Sequence, residues 1–119
     1  MKWKMVRLEL ASNGEFPRGS AGRVYLLRLP LSDNGRIDDG VLKAEPERAV
    51  VRRYWSNEAD MIGHMIPTES GHLAIRYESH DAVDGRLFQF GAEVIHVGEE
   101  VMLTDVDGRE RHFRVASLA

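Results

Sequence analysis

The chain has 119 residues and a formal net charge of −3, with 43% hydrophobic and 29% charged residues. This is the balance of a globular protein, and the length predicts a single domain over residues 1–119, which the strand pattern described below makes a β domain. The negative net charge disfavours a dedicated nucleic-acid binder, because neutralising phosphates needs a basic surface. The lack of cysteine excludes disulfides, thiolate catalysis and cysteine-ligated metals.

No apolar run in the sequence reaches the length of a membrane span. The first ten residues, MKWKMVRLEL, carry charges throughout their apolar stretch, which is unlike a signal peptide and typical of a strand. We therefore expect a soluble, cytoplasmic protein that does not enter a membrane.

Runs of β-branched, aromatic and aliphatic residues alternate with turn residues along the chain and predict about eight strands. The predicted strands are Lys2–Leu10, Arg23–Leu29, Ala49–Trp55, Met61–Ile66, His72–Glu78, Arg86–His96, Glu100–Thr104 and Glu110–Ser117. One short helix is predicted at Asp39–Ala44, with Asp38 as its N-cap and Pro46 after its end. Short strands at this spacing predict a mostly β fold, either an antiparallel barrel or a barrel-like sandwich.

The polar stretch LSDNGRIDDG precedes this helix and has some of the composition of a calcium loop. If Gly35 is aligned with the glycine that an EF-hand requires, the end ligand positions fall on Pro30 and Val41. Neither side chain can ligate calcium, so we interpret the stretch as a polar turn leading into the helix cap. We predict no metal site and no cofactor.

The stretch RAVVRRYW combines arginines with aromatic residues, which is the composition of an interaction surface for proteins or for stacked bases. On a strand, Arg52 and Tyr54 share one face, whereas Arg53 and Trp55 share the other. The sequence leaves open which pair points outward. It also leaves open a solvated edge at which arginine stems cover apolar surface.

The stretch DMIGHMIPTESGHLAIRY predicts a hairpin and raises the question of a histidine-based metal site. A four-residue loop over Thr68–Gly71 pairs His64 with Ile75. His64 then joins Tyr77 in an apolar stripe facing the interior, and His72 points to the opposite side. We predict that His64 is buried, so that replacing it with Ala costs about 1–3 kcal/mol, and that the two histidines share no metal.

The last hairpin, VMLTDVDGRERHFRV, has two possible registers. A three-residue loop over Val106–Gly108, with Gly108 in the left-handed region, pairs Val101 with Phe113. A two-residue loop pairs Met102 with Phe113 and splits the apolar residues between two faces. Because a slip of one residue moves every side chain to the other face, we predict the three-residue loop with Val101 and Phe113 buried.

Acid–base pairs can be named in the sequence, such as His96 with Glu99 and Asp105 with His112, but nothing places either pair in a cleft. We therefore expect a binding or interaction module without catalytic activity, whose partner is a protein or a small molecule. A third hypothesis, nucleic-acid binding through the region of Arg52 and Arg53, is disfavoured by the net charge.

The alternative is a barrel that binds a small molecule or acts as an enzyme. Its predicted ligand-binding residues are His64, Tyr77, Arg53 and Trp55. An eight-stranded barrel has room either for its own side chains or for one small ligand, so a filled interior would favour the interaction module.

Overall fold

The strands follow one another around one curled antiparallel sheet, and the last strand pairs with the first, which closes the sheet into a barrel. The computed structural model describes residues 1–67, 73–78, 86–89, 94–105 and 107–119. Within these residues the strands are β1 (Lys2–Leu10), β2 (Ser20–Leu31), β3 (Val50–Trp55), β4 (Met61–Pro67), β5 (Leu73–Tyr77), β6 (Arg86–Gln89), β7 (Glu100–Thr104) and β8 (Glu110–Leu118). The predicted mostly β barrel is confirmed.

The interior of the barrel is built by alternation along each strand. In β3, exposed and buried residues alternate strictly, so that Val51, Arg53 and Trp55 point inward. The same period of two, which is the pleat of a strand, places the buried residues of β7 and β8 inside. Arg52 and Tyr54 therefore lie on the outer face.

The helix α1 (Asp39–Ala44) has the predicted limits and the predicted cap. The Asp38 carboxylate accepts a hydrogen bond from the Val41 N–H at 3.0 Å, which satisfies one of the free donors of the first turn. Leu42 is fully buried beneath the helix. Pro46 begins a 3₁₀ turn over Pro46–Arg48, which was not predicted from the sequence.

The stretch between β2 and α1 is a tight polar turn, as predicted. The Ser32 N–H donates to the Arg36 carbonyl at 2.8 Å, and the Gly35 N–H donates to the Ser32 carbonyl at 2.9 Å. Gly35 has a φ of 85°, which favours glycine. These backbone hydrogen bonds close the turn.

The β7–β8 hairpin has the predicted register. Val101 lies opposite Phe113, and both side chains are buried. The Asp105 N–H donates to the Arg109 carbonyl at 2.9 Å, and Gly108 has a φ of 85°. The prediction of the three-residue loop is therefore confirmed at both of its ends, while Val106 itself lies outside the described residues.

The predicted register of the β4–β5 hairpin is wrong by one residue. His64 lies opposite Arg76, and Met65 lies opposite Ile75. Met65 is fully buried, whereas the His64 side chain is 34% exposed on the outer face, 3.8 Å from the Glu78 carboxylate. The predicted burial of His64 is thus wrong, and the predicted turn and His72 lie outside the described residues.

Gly63 explains the register of this hairpin. It lies opposite the inward-facing Val51 of β3 and opposite Tyr77 of β5. A Cβ at this position would overlap the carbonyl oxygen of Arg76 and lie 2.9 Å from the Tyr77 Cα. The two backbones approach so closely that only glycine fits, which fixes the odd-numbered face of β4 inside.

We expect Gly63→Ala to lower the free energy of unfolding by about 1–3 kcal/mol, since the backbone of β5 must move to admit the methyl group. The matched control is Gly40→Ala in α1, where a Cβ would meet only an Asp38 oxygen at 3.5 Å. This control should be neutral or stabilising by up to about 1 kcal/mol. Urea unfolding compares the variants, and equal effects would contradict the close approach at Gly63.

Candidate functional site

Three of the four predicted ligand-binding residues point into the barrel. Arg53, Trp55 and Tyr77 are buried on the inner face, and the Arg53 guanidinium lies 4.3 Å from the centre of the Trp55 ring. His64 lies on the outer face, apart from them. The alternative that places His64 in the interior with the other three is therefore wrong on this point.

Asp105 is the centre of a buried polar network at one end of the barrel. Arg53 donates from Nε to Oδ1 at 2.8 Å and from Nη2 to Oδ2 at 3.0 Å. Arg111 donates from Nη1 to Oδ2 at 3.2 Å, and the Tyr25 hydroxyl donates to Oδ1. Asp105 and Arg53 are only 1% and 2% exposed. The network joins β2, β3 and β8 to the end of β7.

The ionisation of this network follows from its burial and its pairing. Burial alone lowers the pKa of Arg53, but the hydrogen bonds and the charge of Asp105 outweigh burial and raise this pKa above its ordinary value. Burial, followed by the effects of Tyr77 and Asp105, raises the pKa of Tyr25 well above 10.0. Tyr25 is therefore a neutral donor, and Arg53 is a permanent cation.

A second layer of charges surrounds the network at the surface. Arg111 donates two hydrogen bonds to the Asp107 carboxylate, at 3.0 and 2.9 Å. The hydrogen bond from Arg111 is the main reason that the pKa of Asp107 is lowered. Glu58 accepts a hydrogen bond from Nη1 of Arg53 at 3.2 Å. Both guanidinium groups are thus paired with carboxylates on two sides.

Aromatic rings fill the space beside the network. The Phe113 ring meets the Tyr25 ring edge to face at 5.3 Å and the Trp55 ring at 6.3 Å. Toward the loop between β1 and β2, the Arg23 guanidinium lies 4.1 Å from the centre of the Phe16 ring.

The Asp105 carboxylate is a poor general base here, because its lone pairs already accept hydrogen bonds from strong donors.

The Tyr25 hydroxyl makes the stability of the folded protein depend on pH in the alkaline range. Because the pKa of Tyr25 is raised on folding, the unfolded chain loses this proton first as the pH rises through 10.0. The contribution of Tyr25 to the free energy of unfolding is therefore complete below about pH 10 and is lost as the pH rises above it. We expect Tyr25→Phe to make this decline less steep. Urea unfolding at a series of pH values between about 8 and 11 measures the slopes.

A second candidate lies on the outer face of β2, β3 and β4, and we call it the outer patch. Leu26, Arg52 and Ile62 form one row across the three strands. Tyr54 is 46% exposed, and the Arg52 side chain is 53% exposed. The remaining members are Arg28 and Val50, on the same outer face. The outer patch is where the structure places the Arg52 and Tyr54 pair predicted from the sequence.

One of the acid–base pairs named from the sequence is divided between the two faces of the sheet. His112 lies on the outer face, 3.9 Å from Glu100, while Asp105 points inward. Among the described residues, no three histidine or acidic side chains are placed to hold a metal ion. The helices in the same part of the chain are all too short or too polar to cross a membrane.

The network was only partly visible in the sequence. The confirmed β7–β8 register already places Arg111 opposite Leu103 on the inner face. Asp105 continues the parity of Val101 and Leu103, and this was the signal that could have located it. Nothing in the sequence connects Asp105 with Tyr25, which lies 80 residues earlier.

Comparisons with protein-family models, with curated proteins and with solved structures find no match to this chain. The site must therefore be interpreted from its own chemistry.

Proposed function

We propose that this protein is a non-enzymatic binding module that recognises a protein partner through its outer surface, and that it acts in the cytoplasm. The observation that supports this proposal is the filled interior of the barrel. Fully buried large side chains occupy it, namely Leu8, Tyr25, Leu27, Leu29, Met65, Ile75, Leu103 and Phe113. An eight-stranded barrel encloses space for its own side chains or for one small ligand, and in the part of the barrel that the structure describes large side chains occupy it, which favours a partner that meets the outer face.

The buried polar groups also argue for binding outside the barrel. A site for a small molecule offers polar groups that converge on an empty space. Here Arg53, Asp105 and Tyr25 are bonded to one another. Since each is engaged by the protein, they favour a structural network over a catalytic or ligand-binding one.

The outer patch is the surface that we propose for this recognition. Tyrosine and arginine are enriched among the residues that contribute most to binding energy, and apolar neighbours help them to exclude water. Tyr54 and Arg52 are exposed beside Ile62 and Val50, which are 37% and 38% exposed. This combination of exposed aromatic, cationic and aliphatic side chains is typical of a protein interface.

The test is to identify a partner from the outer patch and then measure its affinity. A photo-crosslinking amino acid replaces Tyr54 in one sample and Met102, 39% exposed on the outer face of β7, in another. The partner captured from cells is then purified and titrated against wild type, Tyr54→Ser and Met102→Ser. We expect Tyr54→Ser to bind at least about tenfold more weakly, a loss of about 1.4 kcal/mol, and Met102→Ser to bind as wild type.

The proposal fails if capture is equal from both positions, or if Tyr54→Ser binds the partner as tightly as wild type does. Capture alone does not support it, because the purified partner must show the same dependence on Tyr54.

A further inference from the structure

The outer patch carries two arginines with unused hydrogen-bonding capacity. A guanidinium group has five N–H donors. The Arg28 side chain has no ion pair or hydrogen bond with any described residue, and Arg52 has only a long ion pair with Asp60, at 3.6 Å. The arginines of the interior differ, since Arg53 is bonded to carboxylates on two sides. Donors at this face are therefore available to a partner.

The register fixes how far apart these two arginines lie. Arg52 of β3 is directly opposite Leu26 of β2, and Arg28 follows Leu26 by two residues on the same face. Diagonal neighbours of this kind lie about 7–8 Å apart across adjacent strands. Leu26, Val50 and Ile62 surround them with apolar surface. The outer patch thus presents two positively charged side chains with aliphatic side chains beside them.

We infer that the outer patch binds an acidic segment of a partner protein, in which two carboxylates meet Arg28 and Arg52 and an apolar side chain packs on Leu26 and Ile62. This inference rests on the proposed function and names the chemistry of its partner. Arginine forms two parallel hydrogen bonds with a carboxylate, which adds geometric specificity to the attraction between the charges.

Charge complementarity supports an acidic partner. The chain as a whole has a net charge of −3, yet these two arginines lie together on a face where Asp60 is the ion-pair partner of one of them. Asp60 lies just before β4, at the end of the strand rather than between the arginines. A segment with two carboxylates can bind both guanidinium groups and leave this weak contact in place.

The test uses the full chain and a library of random twelve-residue peptides displayed on phage. Enriched sequences are synthesised with a fluorescent label and titrated against wild type, Arg28→Glu and Arg52→Glu. The control is Arg18→Glu, which makes the same charge change at an exposed position of the loop between β1 and β2. Circular dichroism verifies that each variant is folded, and a labelled twelve-residue oligothymidylate is the nucleic-acid probe.

We expect enriched peptides to carry two acidic residues beside an apolar one. Each patch variant should weaken their binding at least about tenfold, and the control should change it less than about twofold. Added salt should weaken binding, because it screens exposed charges. Enrichment of peptides without acidic residues, no enrichment, equal binding to Arg52→Glu, or tighter binding of the oligothymidylate would overturn the inference.

These results separate the inference from the proposed function. If a partner captured from position 54 depends on Tyr54 but binds Arg52→Glu as tightly as wild type, the binding module stands and the acidic segment does not. If the patch variants lose the peptides while no partner depends on Tyr54, the proposed function fails by itself.

Discussion

Replacing Asp105 with Ala is expected to lower the free energy of unfolding by about 3–5 kcal/mol. The variant leaves the Arg53 guanidinium buried without the carboxylate that accepts two of its hydrogen bonds, and it removes the acceptor of the Tyr25 hydroxyl. Removing one partner of a buried ion pair costs more than the net energy of the pair, because the remaining charge stays buried without its buried counter-charge. Urea unfolding monitored by tryptophan fluorescence measures the loss.

Two further variants distinguish the buried charge from a general effect of the turn. Asp107→Ala removes the neighbouring, 43% exposed carboxylate and should cost about 1 kcal/mol or less, as exposed ion pairs do. The double variant Asp105→Ala with Arg53→Met should recover part of the loss, because it also removes the cation that has lost its buried carboxylate partner. If the double variant is less stable than Asp105→Ala, the explanation by an unpaired charge is wrong.

Phe113→Ala should lower the free energy of unfolding by about 3–5 kcal/mol. The Phe113 side chain is fully buried and packs edge to face between Tyr25 and Trp55. Truncation to Ala removes both ring contacts and opens a space that the rigid strands around it fill only in part. Thermal and urea unfolding provide the measurement.

The adjacent residue provides the control for Phe113. His112 lies next to it in β8 on the outer face, so His112→Ala should cost about 0.5 kcal/mol or less. Similar losses at the two positions would mean that β8 does not present alternate faces to the interior and to solvent, and the register with β7 would then be wrong.

The parts of the fold that could be predicted from sequence are those in which local chemistry and apolar pattern agree. At the β7–β8 turn, Gly108 can adopt a positive φ, and the register that uses it also buries Val101 and Phe113. At α1, Asp38 is a good cap and Pro46 cannot continue the helix. Each element is determined by residues within a few positions of one another.

The β4–β5 register could not be predicted because the local pattern favoured the wrong face. Ile62 and Ile66 made the face containing His64 look apolar, while the inward face of β4 contains Gly63 and Met65. The deciding constraint is the close backbone approach at Gly63, which involves Arg76 and is not written in the hydropathy of either strand. A pattern of apolar residues does not reveal a position that requires glycine because a side chain would not fit.

The prediction of the candidate site was limited in the same way, because it depends on contacts between residues far apart in the sequence. Alternation separated Arg53 and Trp55 from Arg52 and Tyr54, but it gave no sign of which pair was inside. The decision depends on Asp105, a partner 52 residues from Arg53 that neutralises its charge. Without this partner, burial of the arginine would be too costly, and the strand would expose it.

The closure of the barrel has a consequence for the order in which the protein folds. Among the strands that the structure describes, every pairing except one joins neighbours in the chain, and the exception is β1 with β8, where Leu10 lies opposite Phe113. Bringing such distant segments together costs conformational entropy before any stabilising contact has formed. The hairpins should therefore form early and the closure of the barrel late. The bonds of Asp105 to Tyr25 and Arg53 also span distant segments and should form at this late step. Weakening them should therefore speed unfolding and leave the folding rate nearly unchanged, which would make closure the main determinant of how long the native state persists.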